Sequence, residues 1–309
     1  MLSKPLTVQH VRFFETFGFL YLPGLFADSI EKIIASFEEV WAANGEGHNG
    51  KPHDQKARSV LVRFIDQHDN LRTLLVDPRI EGIAASLVGE DFNYMGSDGN
   101  YYVGDSRWHS DDWDKDIRHI KFLFYLDPLT RDTGALRVLP GSHKIGDAYA
   151  EGLRTLSIVD EEFKTSEQTE IHFGVRARDI PAVALEAQPS DVIVIDHGCK
   201  HSSFGGGLYR RMFSILCSQR YPTDYIAELR KYLGTYARFW IDRAYDKQMI
   251  DTARPQRRIH LEQVMANDDH LAELAHRKRL EMPEPSRDQL TFPAQRPDKR
   301  LETLPSSAS

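Results

Sequence analysis

The sequence predicts a mostly β fold with flanking helices, and three observations carry that prediction. From residue 92 the helical spacing of apolar positions gives way to short segments rich in β-branched and aromatic residues. These are Phe92 to Val103, Ile120 to Leu126, Ala135 to Leu139, Ala182 to Ala187, Asp191 to Ile195 and Arg211 to Tyr221, punctuated by Gly, Pro, Asp and Ser. Helical patterns precede this run and resume after about residue 223, so strands do not alternate with helices. A block of strands between helical ends argues for a sandwich or barrel, not for a doubly wound parallel sheet.

The elements follow in order. Thr7 is placed to cap a helix with Val8, Val11, Phe14 and Phe17 at helical spacing, and Gly18 to end it. Phe19-Leu20-Tyr21-Leu22 reads as a short strand stopped by Pro23-Gly24. Asp28 is the expected cap of a second helix carrying Ile30, Ile33, Ile34, Phe37 and Trp41 on one face. Residues 44–58 read as a loop, and Asp77-Pro78 as a helix start with Ile80, Ile83, Ala84 and Leu87 as its buried stripe. The segment from Glu281 is rich in proline and poor in large apolar residues, which suggests a mobile tail.

Composition removes several function classes. With 39 basic against 46 acidic side chains the net charge is −7, which argues against a general nucleic-acid binder. No apolar run approaches the ~20 residues that span a bilayer, and no secretion signal opens the chain, so no membrane partner is expected. Two cysteines, Cys199 and Cys217, then read as reduced thiols of a cytoplasmic protein.

Gly45-Glu46-Gly47-His48-Asn49-Gly50 matches a dinucleotide-binding pattern, but a helix precedes it and Lys51-Pro52 follows, so it reads as a surface loop. Trp108-His109-Ser110-Asp111-Asp112-Trp113 is more informative. In an extended segment His109 and Asp111 project from one face, and imidazole with carboxylate suits a divalent transition metal. The short motif alone also fits a loop histidine among solvated acids. Further on, a strand ends near Asp196, His201 lies just beyond it, and Arg210-Arg211 opens the next strand. One histidine from there would complete a two-histidine, one-carboxylate set, the arrangement favoured for non-haem Fe(II). His197, Cys199 and His201 also resemble part of a zinc cluster, but no second Cys/His pair stands nearby.

Together, Trp108-His109-Ser110-Asp111, the segment Asp132-Thr133-Gly134-Ala135-Leu136-Arg137-Val138-Leu139-Pro140-Gly141-Ser142-His143, and Asp196-His197 through His201 to Arg211 resemble the phytanoyl-CoA dioxygenase family, which includes ectoine hydroxylase-like members. The likeness runs from about residue 5 to 221. Thr133 stands where relatives carry Asn, and Phe204-Gly205-Gly206-Gly207 replaces a more polar loop. The resemblance implies a double-stranded β-helix (jelly-roll, cupin-like) core. It implies Fe(II) held by His109, Asp111 and His201, with 2-oxoglutarate and O2 as cosubstrates. Arg211 would bind the far carboxylate of 2-oxoglutarate, with Ser203 near the other carboxylate. Arg211 is preferred over Arg210 because it shares a strand face with Phe213 and Ile215, which suggests that it points inward.

The expected activity is oxidation of an aliphatic C–H bond of a small polar organic molecule, most simply hydroxylation, with release of succinate and CO2. Desaturation or ring closure uses the same groups, and a jelly-roll metal protein without 2-oxoglutarate is the reading from another class. Tyr102, Trp108, Asp112 and Trp113 flank the expected metal site as substrate contacts, and aromatic walls beside acids would suit a polar or cationic molecule. The expected organisation is an oxygenase domain over 1–245, a helical extension over 246–280 and a mobile tail over 281–309.

Overall fold

Two antiparallel sheets face each other in a computed structural model that describes residues 6–111, 116–150 and 177–287. In chain order the strands are β1 Phe19–Leu22, β2 Ser59–Val62, β3 Asn93–Tyr102, β4 Ser106–His109, β5 His119–Tyr125, β6 Leu136–Val138, β7 Val183–Leu185, β8 Val192–Asp196, β9 His201–Ser203 and β10 Arg210–Ser218. The larger sheet has the order β1-β8-β5-β10-β3-β2 and the smaller β4-β9-β6-β7. This is the expected sheet-rich architecture with flanking helices. β2, β4 and β9 are additions to the strands legible in the sequence.

The larger sheet is buried on both faces. On one, Phe213 and Ile215 of β10 join Phe122, Phe124, Val192 and Val194 in a core shared with helices. On the other, Met212 meets Leu123, Tyr125, Ile193 and Ile195, and this second core extends to Leu136 and Val138 of the smaller sheet. Alternation along each strand therefore separates a helix-facing side from a barrel interior, both largely apolar.

Helix α1, Val8–Phe17, starts in a capping box between Thr7 and His10 and stops at Gly18, whose φ of 81° is left-handed. Helix α2, Ile30–Ala43, buries Ile33, Phe37, Val40 and Trp41. Its N-cap is Ser29, one residue beyond the expected Asp28, whose carboxylate instead takes hydrogen bonds from Ser29 and Arg79. The short α3, Asp69–Thr73, precedes α4, Pro78–Val88, which begins as expected with Asp77 accepting from the Arg79 N–H. After β10 the helices Ile226–Gly234 and Leu271–Glu281 contribute Leu229, Tyr232, Leu233 and Leu271 to the helix-side core. Residues 282–287 continue along the fold: Ser286 N–H donates to the Arg238 carbonyl (2.9 Å), and the His48 ring donates to the Pro285 carbonyl (2.9 Å). The rest of the tail expected to be mobile, 288–309, lies outside the described residues.

Candidate active site

Pairing of β4 with β9 brings the sequence-distant histidines together. His109 and His201 are directly opposed in the antiparallel register, with ring centroids 4.3 Å apart. Asp111 lies just beyond β4, where its backbone N–H is fixed by the His197 carbonyl at 2.9 Å. Its two carboxylate oxygens then sit 3.8 Å from His109 Nε2 and 3.8 Å from His201 Nε2. One donor atom from each of the three residues lies within 4.8 Å of the others, so the set could hold a metal ion.

The donor chemistry fits a divalent transition metal. His109 Nδ1 lies 2.7 Å from the Arg107 carbonyl and His201 Nδ1 lies 3.0 Å from the Cys199 carbonyl. A carbonyl only accepts, so each Nδ1 carries the proton and each Nε2 presents a lone pair. Burial, reinforced by His109, pushes the His201 imidazole down to about 3, which keeps it neutral and able to ligate. For Asp111 burial opposes ionisation, but Lys121, His201 and His109 outweigh it and hold the carboxyl well below its usual range. The Lys121 ammonium, on β5 and itself buried, donates to Asp111 Oδ2 at 2.6 Å. Lys121 was missed in the sequence, although a lysine inside the apolar run Ile120 to Leu126 was the available signal.

The arginines exchange the places expected of them. Arg211 points away from the barrel interior, where its guanidinium meets Asp127 at 2.5 Å and Glu38 at 2.6 Å, and the Asp127 contact raises its pKa. Arg210 is buried, donating to Ser203 Oγ at 3.1 Å and to the Gly134 carbonyl at 3.0 Å. Phe213 and Ile215, which share the face of Arg211, lie in the helix-side core, so that face does not look into the barrel as the alternation suggested. Arg210 shares its phase with Met212, which faces the second sheet. Gly134 makes room for it: a Cβ there would lie 2.1 Å from Arg210 Nη1, and the backbone φ of 98° is itself left-handed. Ser203, on β9, bonds Ser106 Oγ at 3.0 Å as well as Arg210.

Among the expected substrate contacts, Tyr102 is half-buried beside two guanidinium groups, Arg58 at 4.7 Å and Arg210 at 5.2 Å from its ring centroid. Trp108 packs instead against the small cluster of Leu139 and Ile180. Asp112 and Trp113 lie outside the described residues. Cys199 belongs to the core between the sheets, where burial pushes its thiol up to about 12 and makes it a packing residue. A cavity is lined by Asp111, Lys121 and His197 and walled partly by Tyr236, Phe239 and Ile241. Nothing in the sequence marked these C-terminal residues as part of the site.

A sequence profile of the phytanoyl-CoA dioxygenase (PhyH) family matches residues 14–211, more than half of the chain and the whole of the triad. Ectoine dioxygenase of Stutzerimonas stutzeri (strain A1501) is 24% identical over 227 residues, covering 66% of this chain and 73% of that protein. Among solved structures, the non-haem α-ketoglutarate-dependent carbocyclase SnoK from nogalamycin biosynthesis superposes with a TM-score of 0.54 at 18% identity, over 71% of this chain and 86% of that one. Iron-bound EctD from S. alaskensis gives 0.53 at 21% identity, over 71% and 79%. HygX from Streptomyces hygroscopicus, with nickel and 2-oxoglutarate bound, gives 0.52 at 17%, over 71% and 89%. The chain belongs to the phytanoyl-CoA dioxygenase family, and it is a non-haem dioxygenase that uses Fe(II) and 2-oxoglutarate.

Proposed function

We propose that this enzyme hydroxylates an aliphatic C–H bond of a small organic molecule, with His109, Asp111 and His201 holding Fe(II) and Arg210 with Ser203 holding the far carboxylate of 2-oxoglutarate. The observation that carries the ligand set is the convergence of two Nε2 lone pairs and one carboxylate, each histidine being oriented by a backbone carbonyl. Three protein ligands would leave coordination positions for cosubstrate and oxygen. When bound, the iron supplies the oxidising power that couples 2-oxoglutarate decarboxylation, yielding succinate and CO2, to C–H oxidation. With Asp111 as a ligand no place would be left for a halide, which favours hydroxylation over halogenation.

The protein's own contributions are positional. Lys121 keeps the Asp111 carboxylate ionised and fixes one of its oxygens. Arg210, held between Ser203 and the Gly134 carbonyl, presents a buried guanidinium suited to bidentate carboxylate recognition. Substituting His109, Asp111 or His201 by alanine is expected to abolish stoichiometric Fe(II) binding and 2-oxoglutarate-dependent succinate formation, with far-UV circular dichroism retained. Iron content and succinate measured on the same samples check this. Full iron loading in any of the three variants would remove that residue from the ligand set.

A further inference from the structure

We infer that the Tyr125 hydroxyl is a further binding group for 2-oxoglutarate, donating a hydrogen bond to the far carboxylate beside Arg210. The inference rests on the oxygenase reading above and deepens it by adding a residue that selects for a carboxylate at that end of the oxoacid. Strand pairing brings the two side chains together. Arg210 and Met212 share one face of β10, and Met212 lies directly opposite Tyr125 of β5, in the core between the sheets. Tyr125 is thus the diagonal neighbour of Arg210 on that face, a separation that an aromatic and a long side chain can span. Tyr102, directly opposite Arg210 on β3, bounds the other side, with its ring centroid 5.2 Å from the guanidinium.

Each of the two side chains carries a donor that the protein leaves unmet. Arg210 directs Nη1 to the Gly134 carbonyl and Nη2 to Ser203 Oγ, both uncharged, while its buried Nε–H has no acceptor among the described residues. Tyr125 is only 6% exposed, and its hydroxyl makes no hydrogen bond to a described residue. Buried polar groups are nearly always paired, so two unmet donors at neighbouring positions call for an acceptor that arrives with a ligand. Burial pushes the Tyr125 hydroxyl up to about 12, which keeps its proton in place as a donor. The charged groups acting on it are Arg210 and Lys121, both cations. Lys121 is already bound to Asp111 at 2.6 Å. Asp98, the carboxylate that acts on Tyr102, is likewise held, by Arg58 at 3.1 Å and by Asn100 and Ser214. A carboxylate set against the Nε edge of Arg210 would take a charge-assisted pair of N–H bonds there, and the tyrosine would add a third donor from the adjoining strand.

Tyr125→Phe keeps the ring in its core and removes only the donor. The test is anaerobic calorimetric titration of the Fe(II)-loaded wild type, Tyr125→Phe and Arg210→Ala. Each is titrated with 2-oxoglutarate and with 2-oxopentanoate, which carries a methyl group in place of the far carboxylate. A hydrogen bond to a charged group corresponds to a factor of roughly ten to a hundred in affinity. Tyr125→Phe is expected to raise the Kd for 2-oxoglutarate by that factor and to leave the Kd for 2-oxopentanoate, the iron affinity and the urea midpoint unchanged. A tyrosine with a purely structural role would affect both oxoacids alike. Unchanged 2-oxoglutarate affinity in Tyr125→Phe, or equal weakening of the two oxoacids, overturns the assignment. Arg210→Ala tells this failure from a deeper one. If it weakens 2-oxoglutarate while Tyr125→Phe does not, only the tyrosine contact falls; if it binds 2-oxoglutarate as the wild type does, the anchor reading falls and the tyrosine contact with it.

Discussion

Arg210 and Arg211 are neighbours in sequence and opposites in environment. Arg210 is 5% exposed and bonded to Ser203 and the Gly134 carbonyl, while Arg211 is tied to Asp127 and Glu38 at the outer side of the strand. Removing one partner of a buried, bidentate charge pair costs ~2–5 kcal/mol, a factor of roughly thirty to several thousand in affinity. Arg210→Ala should therefore raise the Kd for 2-oxoglutarate by that factor with iron binding intact, and Arg210→Lys should recover only part of the loss. Arg211→Ala should leave the Kd unchanged and cost about 1 kcal/mol of stability, the scale of a partly exposed ion pair. Anaerobic titration of 2-oxoglutarate into the Fe(II) enzyme decides between them, and a loss confined to Arg211→Ala would return the anchor to that position. Gly134→Ala belongs to the same comparison. Its added methyl would displace the Arg210 guanidinium, so it should weaken 2-oxoglutarate binding in the same direction.

At the scale of elements, β10 shows what the sequence discloses and what it withholds. Its residues announce a strand by composition, but not which face looks into the barrel, because both faces are buried and both carry large apolar side chains. Phe213 stacks on Phe124 with centroids 4.4 Å apart and packs near Phe64 at 5.9 Å, so its truncation empties the helix-side core. Phe213→Ala should destabilise the protein by about 3–5 kcal/mol in urea unfolding. The folded fraction should still bind 2-oxoglutarate normally, since Arg210 and Met212 lie on the other face. A normal unfolding midpoint would contradict the assignment of faces. The strands β2, β4 and β9 were not legible for a different reason. They are three or four residues long, and β4 and β9 carry Ser and His, so in those two cross-strand pairing rather than local propensity makes the strand. By contrast, the Asp77-Pro78 helix start and the helix-ending Gly18 depend on local chemistry, and both appear where the sequence puts them. The His109, Asp111 and His201 cluster was legible as an ordered set of motifs, whereas Lys121 and the cavity wall required three-dimensional proximity.

Over the whole molecule, the chain after β10 joins the same core as the helices before β3, and Asp66 sits within that joint. Its buried carboxylate accepts from Tyr94 Oη at 2.7 Å and from the Asp246 N–H at 3.0 Å, linking the segment before β3 to the C-terminal part. Burial pushes this carboxyl up to about 6. Because the folded pKa exceeds the unfolded one of about 4, the stabilising contribution of the neutral form is complete below pH ~4. It is lost as pH rises through 6, by about 3 kcal/mol in all. Asp66→Asn should therefore gain stability relative to wild type between pH 4.5 and 7.5, by an amount that grows toward neutrality. Urea midpoints of both proteins across that range measure it, and parallel curves would show that the wild-type carboxyl titrates normally. The C-terminal part as a whole was the least legible region, since its short helices are defined by what they cover and not by strong periodicity. Among the described residues no helix is long and apolar enough to cross a membrane.

The position of the cavity wall also sets an order in time. The proposed iron ligands are complete once His201 has been synthesised, whereas Phe239, Ile241 and Ala244 follow, and the stretch at 282–287 comes later still. At ~5–20 residues per second the interval amounts to several seconds on a growing chain. During it a nascent protein would possess the proposed ligand side chains without the cavity wall that faces Asp111. Iron acquired that early would sit in contact with water and oxygen, beside a chain with no substrate to spend the oxidation on. Metal delivery after the ribosome has released the chain avoids that exposure.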